Sequence, residues 1–341
     1  MARVDMAETG NGGSWDDSPR PRLRSLTDRL RHDRGIWRRG ILLAVCAVLL
    51  TLLMAFHAEI PNRIGNLGSL TETFLPWLGV FVPLLLVLAL LRRSATALVA
   101  LLLPTVVWLN LFGGLLLDDK SGTGGDLTVA SHNVNADNPR PEATARRLAE
   151  SGADVVALEE LAPHMVPVYE KALAAAYPHH TVQGTVGLWS RYPLRDTRPV
   201  DIKMGWTRAL RSVVTAPQGE VAVYVAHLPS VRVRMDAGFT ASRRDDSADH
   251  LGEAIAGERL QRVILLGDLN GTMNDRSLNA VTSQMRSTQG AAGDGFGFSW
   301  PAAFPMARID QIMVKNVEPV SSWTLPRTDS DHLPVAARVK L

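Results

Sequence analysis

Three long apolar runs between Ile41 and Leu117 constrain this chain more than any other feature. Ile41–Phe56 is apolar except for Thr51, Phe74–Leu91 is apolar throughout, and Ser94–Leu117 is nearly so. A helix needs roughly 20 such residues to cross the hydrocarbon layer of a bilayer. Pro76, Pro83 and Pro104 do not disqualify these runs, because proline is tolerated in membrane helices. A basic stretch precedes the first run, as in a secretory signal, but two further runs follow. The expectation is therefore a three-span transmembrane anchor over residues 40–117.

Charge suggests how that anchor is oriented. Met1–Gly40 holds nine Arg and six acidic residues, with eight of the Arg between Arg20 and Arg39. Arg92 and Arg93 separate the second and third runs, the connection from His57 to Thr73 carries only Arg63 as a firm positive charge, and Asp118–Asp119 follow the third run. Lys and Arg collect on the cytoplasmic side. The tail, residues 1–39, is expected in the cytoplasm, and the chain beyond residue 118 outside the cytoplasmic membrane. Met1 to Pro19 reads as a disordered tail. Arg20–Arg39 reads either as a basic amphipathic helix on the membrane or as a solvated flank. Ser121–Gly125 (SGTGG), within the 118–126 connection, reads as a flexible linker.

Residues 127–341 read as one folded unit in which strand-like and helix-like segments alternate. Leu127–Val134, Val155–Leu158, Val221–Leu228 and Arg262–Leu269 are expected strands. Pro141–Ser151, Pro163–Ala176 and Ala248–Leu260 are expected helices, an alternation that argues for α/β layers. From Asp118 onward there are 24 Lys and Arg against 26 Asp and Glu. A groove tracking a nucleic-acid backbone usually carries a basic excess, which this unit lacks overall. The single cysteine, Cys46, lies in the first apolar run, so the unit has no disulfide, Cys-based metal site or thiol nucleophile.

Nearly every strand of this unit ends in a polar residue that follows apolar ones. Asn133 lies in ASHNVNADN, Glu160 in DVVALEEL, His227 in YVAHLPS, Asp268 and Asn270 in LLGDLNG, Asp310 in RIDQIMV, and Asp331 and His332 in SDHLPV. One polar strand end is ordinary; this many imply a shared pocket where strands converge.

In that ordered set the sequence resembles the endonuclease/exonuclease/phosphatase superfamily, which includes deoxyribonuclease I, exonuclease III-like repair enzymes, sphingomyelinases and inositol-phosphate 5-phosphatases. The resemblance covers about residues 127–341. It implies an α/β (α+β) fold, a four-layer sandwich of two β-sheets flanked by helices, here preceded by three transmembrane helices. It also implies a metal site for Mg²⁺, or Mn²⁺, with Glu160 as acidic ligand, Asn133 orienting the site and Asp331 as second acidic residue. The implied catalytic group is His332 oriented by Asp310, Asp268 and Asn270 beside the phosphorus and the incoming water, and His227 as a phosphate contact. The family usually has Gln where Glu159 stands; adjacent strand residues face opposite ways, so Glu159 is expected to be solvated or paired with an Arg.

The physical logic agrees with those roles. Hard Mg²⁺ takes carboxylate and amide oxygens and neutralises developing phosphoryl charge, and a carboxylate-held His can donate or accept a proton. Arg208 and Trp206 are candidate substrate contacts, Arg211 a further phosphate candidate or a paired arginine. The stretch Gly293–Met306 (GDGFGFSWPAAFPM) is a substrate-facing loop or a core plug.

The layout of anchor and outward unit looks like the VanJ-type teicoplanin-resistance proteins of actinomycetes. That resemblance implies hydrolysis of undecaprenyl pyrophosphate to undecaprenyl phosphate, with a membrane lipid or lipid-linked phosphate as partner. Two alternatives stand beside it: an outward-facing nuclease or phosphodiesterase, with nucleic acid the less favoured partner, and a non-enzymatic binding module.

Overall fold

The computed structural model describes residues 35–63, 65–116, 121–234 and 238–341. The expected disordered tail, the basic stretch from Arg20 to Arg34 and the Asp118–Asp119 pair lie outside the described residues.

The apolar runs fold as helices, but not as three straight spans. They form α1 (Ile41–Ala55), α2 (Leu67–Thr73), a 3₁₀ turn (Leu75–Val80), α3 (Phe81–Leu91), α4 (Ala95–Ala100) and α5 (Leu102–Leu116). The helical stretch Ala95–Leu116, at 22 residues, is the one long and apolar enough to cross a membrane among the described residues. Leu67–Thr73 and Leu75–Leu91 pass that test only as a pair bent by 67°. Pro76 explains the break, since it sits in the first turn after Phe74 and offers no backbone N–H to continue the preceding helix. α1 has 15 residues, about 22 Å of helix against a hydrocarbon layer of about 30 Å. Leu42, Leu49, Leu84, Leu91, Leu102 and Val106 are exposed on this layer.

Beyond residue 126 the chain builds β1 (Leu127–Asn133), α6 (Pro141–Glu150), β2 (Val155–Glu159), α7 (Val166–Leu173), β3 (His179–Gln183), β4 (Val186–Ser190), β5 (Leu194–Pro199), β6 (Ala209–Ala216) and β7 (Gly219–His227). There follow β8 (Val233–Arg234), β9 (Gly238–Phe239), α8 (Ser242–Ala256), β10 (Val263–Asp268), α9 (Asn279–Thr282), β11 (Arg286–Ser287), α10 (Thr288–Ala292), β12 (Asp310–Lys315), β13 (Glu318–Thr324) and β14 (Val335–Lys340). One six-stranded sheet has the order β13-β14-β1-β2-β4-β3 and the other β11-β12-β10-β7-β6-β5; β8 and β9 form a separate ribbon. Each sheet contains one parallel pair, β1 with β2 and β7 with β10, and each pair is bridged by a helix, α6 or α8. α6 starts on Pro141, and Gly152 just beyond its end takes a left-handed conformation, φ 74°. α8 begins earlier than its apolar content suggests, because Arg244 and Ser247 share the buried face with Ala248, Leu251 and Ile255. It stops at Gly257.

The two sheets pack face to face around Val129, Val155, Ala157, Val223, Val225, Ile264, Leu266 and Ile312. Alternate residues of the same strands turn outward, Val156 and Leu158 toward α6 and α7, Val263 and Leu265 toward α8. This period of two fixes what stands at the strand ends. Counting two on from Val129, Ala157, Val225 and Leu266, the inward positions reach Ser131 then Asn133, Glu159, His227 and Asp268. Asp310 precedes the inward Ile312 by two. The inner face of the sandwich is therefore apolar along its length and polar at one end. Gly267 has φ 153°, and a Cβ there would collide with the Ala226 carbonyl of β7; the Gly of GDLN lets β10 approach β7 closely before Asp268.

Two expectations about connecting segments change. Ser121–Gly125 is not a free tether: Gly122 N–H donates to Val320 O at 2.7 Å, and Gly125 packs against Arg338. Gly293–Met306 joins the helical layer. Trp77 stacks on Phe298 with ring centroids 5.9 Å apart, lies 6.2 Å from Phe304, and donates from Nε1 to Met306 O at 2.7 Å. The loop after β10 is also tied to α2, where Arg276 N–H donates to the buried Glu72 at 3.3 Å and Thr272 Oγ1 donates to Glu72 O at 3.3 Å.

Candidate active site

Asp268, at the inward end of β10, is the hub of the polar strand ends. Its Oδ2 accepts from Asn133 Nδ2 at 3.0 Å and Asn270 Nδ2 at 3.2 Å, and its Oδ1 accepts from Asn270 N–H at 2.9 Å. His227 Nε2 and His332 Nε2 each lie 3.8 Å from that same Oδ2. This exceeds hydrogen-bond reach and leaves both ring nitrogens available to a phosphoryl oxygen. Asp310 lies opposite Asp268 in the β10–β12 register and accepts from His332 Nδ1 at 2.9 and 3.1 Å. Ser299 Oγ accepts from the Asp310 N–H, and Ser330 Oγ accepts from the His332 N–H while donating to Asn133 O at 2.6 Å.

Burial sets the electrostatics, since Asp268, Asp310, His227 and His332 are all buried. Burial disfavours the imidazolium of His332, but the Asp310 and Asp268 carboxylates overcome it and push the pKa up to about 10. Burial also lifts Asp268, aided by Asp310 and opposed by His332 and the amide donors, and the net shift is upward. Burial would raise Asp310 too, but the His332 charge and hydrogen bond hold it below its usual range. His227 is driven well down by burial, by Arg208 and by His332, so it is neutral. The group thus holds a charged His332 on an ionised Asp310, with a neutral His227 across Asp268.

A second set of groups sits on the open side. Glu160 follows β2 with φ 62°, a left-handed turn that takes it out of the strand's alternation and leaves it partly exposed. Burial raises its pKa, His332 and Arg208 lower it, and Asp331 raises it, which places these groups around one space. Asp331 is exposed, and its Oδ1 accepts from Asn135 Nδ2 at 3.0 Å. Arg208 donates to the carbonyls of His227 and Leu228 at 3.0 and 3.3 Å, at the same mouth.

The donor set tests where a divalent cation fits. Asp268, Asp310 and His332 offer ligand atoms within 4.8 Å of one another, but His332 spends Nδ1 on Asp310 and as an imidazolium has no lone pair to give. Glu160 and Asp331 are hard oxygen donors left partly and fully open to solvent, the condition suited to Mg²⁺ and its waters. Asn133, expected to serve the metal, is engaged at both ends of its amide: Oδ1 accepts from Asn135 N–H at 3.0 Å, and Nδ2 serves Asp268. It is buried between the two sets and joins them.

Other expected residues fall elsewhere. Glu159 is neither solvated nor paired with Arg. It is fully buried on the inner face, takes a 2.8 Å hydrogen bond from Ser131 Oγ, and burial raises its pKa well above the usual value. Arg211 is bidentate with Glu258, at 2.8 and 2.9 Å, away from the cluster. Trp206 is 58% exposed and lines a surface groove with Lys203, Arg243, Asp246 and His250; the structure does not bring it to the catalytic groups. Asn135 was not anticipated, although the Asn133-x-Asn135 spacing repeats that of Asp268-x-Asn270. Ser299, within Gly293–Met306, and Ser330, the first residue of SDHLPV, hold Asp310 and His332 through backbone hydrogen bonds, a role that neither motif specifies.

Fold and site together define a metal-dependent hydrolase of phosphate ester bonds. The Endonuclease/Exonuclease/phosphatase family model matches residues 130–332, and the chain belongs to that family. Its members generally use divalent ions such as Mg²⁺. Among solved structures, a Bacteroides thetaiotaomicron mannosyl-6-phosphatase is similar at 18% identity, TM-score 0.52, over 63% of this chain and 100% of that one. The D. rerio TDP2 complexed with single-strand DNA product is similar at 19% identity, TM-score 0.53, over 63% of this chain and 99% of that one. Sphingomyelinase C from Streptomyces griseocarneus is similar at 19% identity, TM-score 0.50, over 63% and 99%. At these identities the structural matches speak for the fold alone. Comparison with curated proteins finds no matching sequence.

Proposed function

We propose that this chain is a membrane-anchored, Mg²⁺-dependent phosphohydrolase acting at the outer face of the cytoplasmic membrane on a lipid pyrophosphate. Undecaprenyl pyrophosphate, converted to undecaprenyl phosphate, is the substrate of choice, and the VanJ-type resemblance links that reaction to glycopeptide resistance. The observation that carries the reading is the loop 293–306. It stacks on Trp77 of the apolar helical layer, and its Ala302 N–H donates to Asp331 O at 2.6 Å. One loop therefore separates the acidic rim of the site from the apolar helices. Phe304, at 63% exposure, extends that apolar surface at the same loop. The Arg clusters around the apolar runs favour an outward catalytic unit; the bent Leu67–Leu91 pair and the short α1 accompany Ala95–Leu116 in the anchor.

In this reading Glu160 and Asp331 hold the Mg²⁺, or Mn²⁺, and Asn135 steadies Asp331. The bound ion supplies neutralisation of charge on the phosphoryl and leaving oxygens. His332, charged and held by Asp310, donates from Nε2 to a phosphoryl oxygen. Asp268, ionised but made more basic by burial, takes the proton of the attacking water, with Asn270 and Asn133 fixing its carboxylate. Neutral His227 contacts the phosphoryl group from the other side, and Arg208 stands at the mouth for the outer phosphate.

The test is phosphate release by the full-length protein in detergent, with undecaprenyl pyrophosphate or plasmid DNA, with and without Mg²⁺, and with Asp268→Ala. Release from the lipid alone, lost in the variant and without Mg²⁺, is expected. Plasmid cleavage without lipid turnover would overturn the substrate and leave the hydrolase in place.

A further inference from the structure

Between the helical layer and the catalytic unit lies a cavity of about 230 Å³ that none of the groups above uses. Its wall is mostly apolar, with Pro76, Leu111, Phe112, Leu115, Phe296 and Phe298 among its lining. Three of these, Leu111, Phe112 and Leu115, belong to Ala95–Leu116, the helix long enough to span a bilayer.

The opposite wall carries Arg308, which is 6% exposed. Its Nη1 donates to Gly297 O at 2.8 Å, while Nε and Nη2 have no hydrogen-bond partner, and Arg308 makes no salt bridge among the described residues. Asp310, two residues on, is committed to His332. Gln289 and Gln311 line the same cavity, and the Oε1 of each is buried without a donor. The chain is shaped to bring these groups there. Gly297 is left-handed, φ 57°, and a Cβ on it would stand 2.6 Å from both Arg308 Nη1 and Gln289 Cδ. A buried guanidinium is ordinarily paired, and buried amide oxygens ordinarily find a donor. A cavity offering one free guanidinium face, two free acceptors and an apolar wall continuing into a membrane-length helix has the profile of a lipid headgroup site.

We infer that this cavity binds an anionic phospholipid with hydroxyls in its headgroup, phosphate on Arg308, hydroxyls on Gln289 and Gln311, and chain along Leu111 and Leu115. The site is separate from the catalytic cluster, and its occupant would join the helical layer to the catalytic unit. The inference rests on the helical layer lying in a bilayer, as proposed above, but not on the identity of the substrate.

The experiment equilibrates full-length protein with vesicles of equal phosphatidylglycerol and phosphatidylcholine, checks association by flotation, and reads retained lipid by native mass spectrometry. Retention of phosphatidylglycerol over phosphatidylcholine by about tenfold or more is expected, the scale of charge-assisted hydrogen bonds from Arg to phosphate. Arg308→Met should abolish the preference. Leu111→Trp, which fills the cavity from the helix side and leaves the buried arginine intact, should lower retention of phosphatidylglycerol. Equal retention of the two lipids by the wild type, or unchanged retention in both variants, overturns the inference. Displacement of phosphatidylglycerol by millimolar inorganic phosphate alone makes this a free-anion site and overturns its lipid half. Failure to float removes the membrane reading as well, whereas flotation without headgroup preference sinks only this inference. Turnover of a pyrophosphate plays no part in the readout.

Discussion

The strand ends of the two sheets use the same backbone device for different chemistry. At the end of β1, Asn135 is left-handed (φ 62°) and its N–H returns to the Asn133 side chain at 3.0 Å; at the end of β10, Asn270 is left-handed (φ 48°) and its N–H returns to Asp268 at 2.9 Å. Beyond the turns the two ends part. On the first sheet's side, Glu160, Asn135 and Asp331 remain partly or fully open to solvent. On the second, His227, Asp268 and Asp310 are buried, and His332 closes over them from the loop before β14. Carboxylates left open can exchange water for a hard cation. Carboxylates buried against imidazolium can manage protons, because low dielectric lets neighbours move their pKa values strongly. Under the function proposed here, burial rather than residue type would divide the labour between the two ends, with Asn133, hydrogen-bonded to Asp268, as the bridge.

The largest effect expected from breaking this division is at the buried end. His332→Ala or Asp268→Asn should lower kcat by roughly 10³-fold, the middle of the range for general acid–base groups, with the Mg²⁺ concentration for half-maximal activity unchanged. A parallel shift in that concentration would count against separate roles. Next in size, Glu160→Gln should act mainly on the metal, and activity lost to EDTA should return on adding Mg²⁺. An unchanged Mg²⁺ titration in that variant would break the comparison from the other side.

The matched asparagines give a finer test. Asn135→Ala should weaken metal affinity by about 10-fold, the lower end of what losing a ligand's supporting partner costs. Asn270→Ala should reduce kcat with little change in metal affinity, because it acts through Asp268. Similar titration profiles for the two variants would mean the turns are interchangeable.

The smallest effect is on stability against pH, measured by urea unfolding in EDTA. The folded pKa of His332 lies above its unfolded value, near 6.5, so its contribution is full below that pH and is lost as pH rises through about 10. Asp310 is depressed in the folded state, so its contribution is present above its ordinary pKa of 3.8 and fades on acidification. His332→Ala should therefore flatten the alkaline decline of the wild type; an identical decline in both would mean that the pair is not what titrates.

Much of this site could be read in the sequence because strand alternation is simple. Apolar residues at every second position of β7 and β10 lead directly to His227 and Asp268, and the Asp310 and His332 motifs sit at the opposite ends of their strands. The same rule places Glu159 inward, two on from Ala157, and so gives its burial, but it could not place Glu160, whose position depends on a left-handed turn at the end of β2. Asn135 went unnoticed because nothing in a single strand reveals that another sheet ends in the same way. The apolar runs announced helices, but not the bend before Leu75 or the contacts of Trp77 with Phe298 and Phe304, which depend on partners more than two hundred residues away.

Binding of Mn²⁺, followed by its paramagnetic signal in the wild type, Glu160→Gln and Asp268→Asn, tests the division between the two ends most directly. Near-normal binding with lost turnover is expected in Asp268→Asn, and weakened binding in Glu160→Gln. Binding lost in Asp268→Asn and kept in Glu160→Gln would put the ion in the buried Asp268–Asp310–His332 cluster and contradict that division.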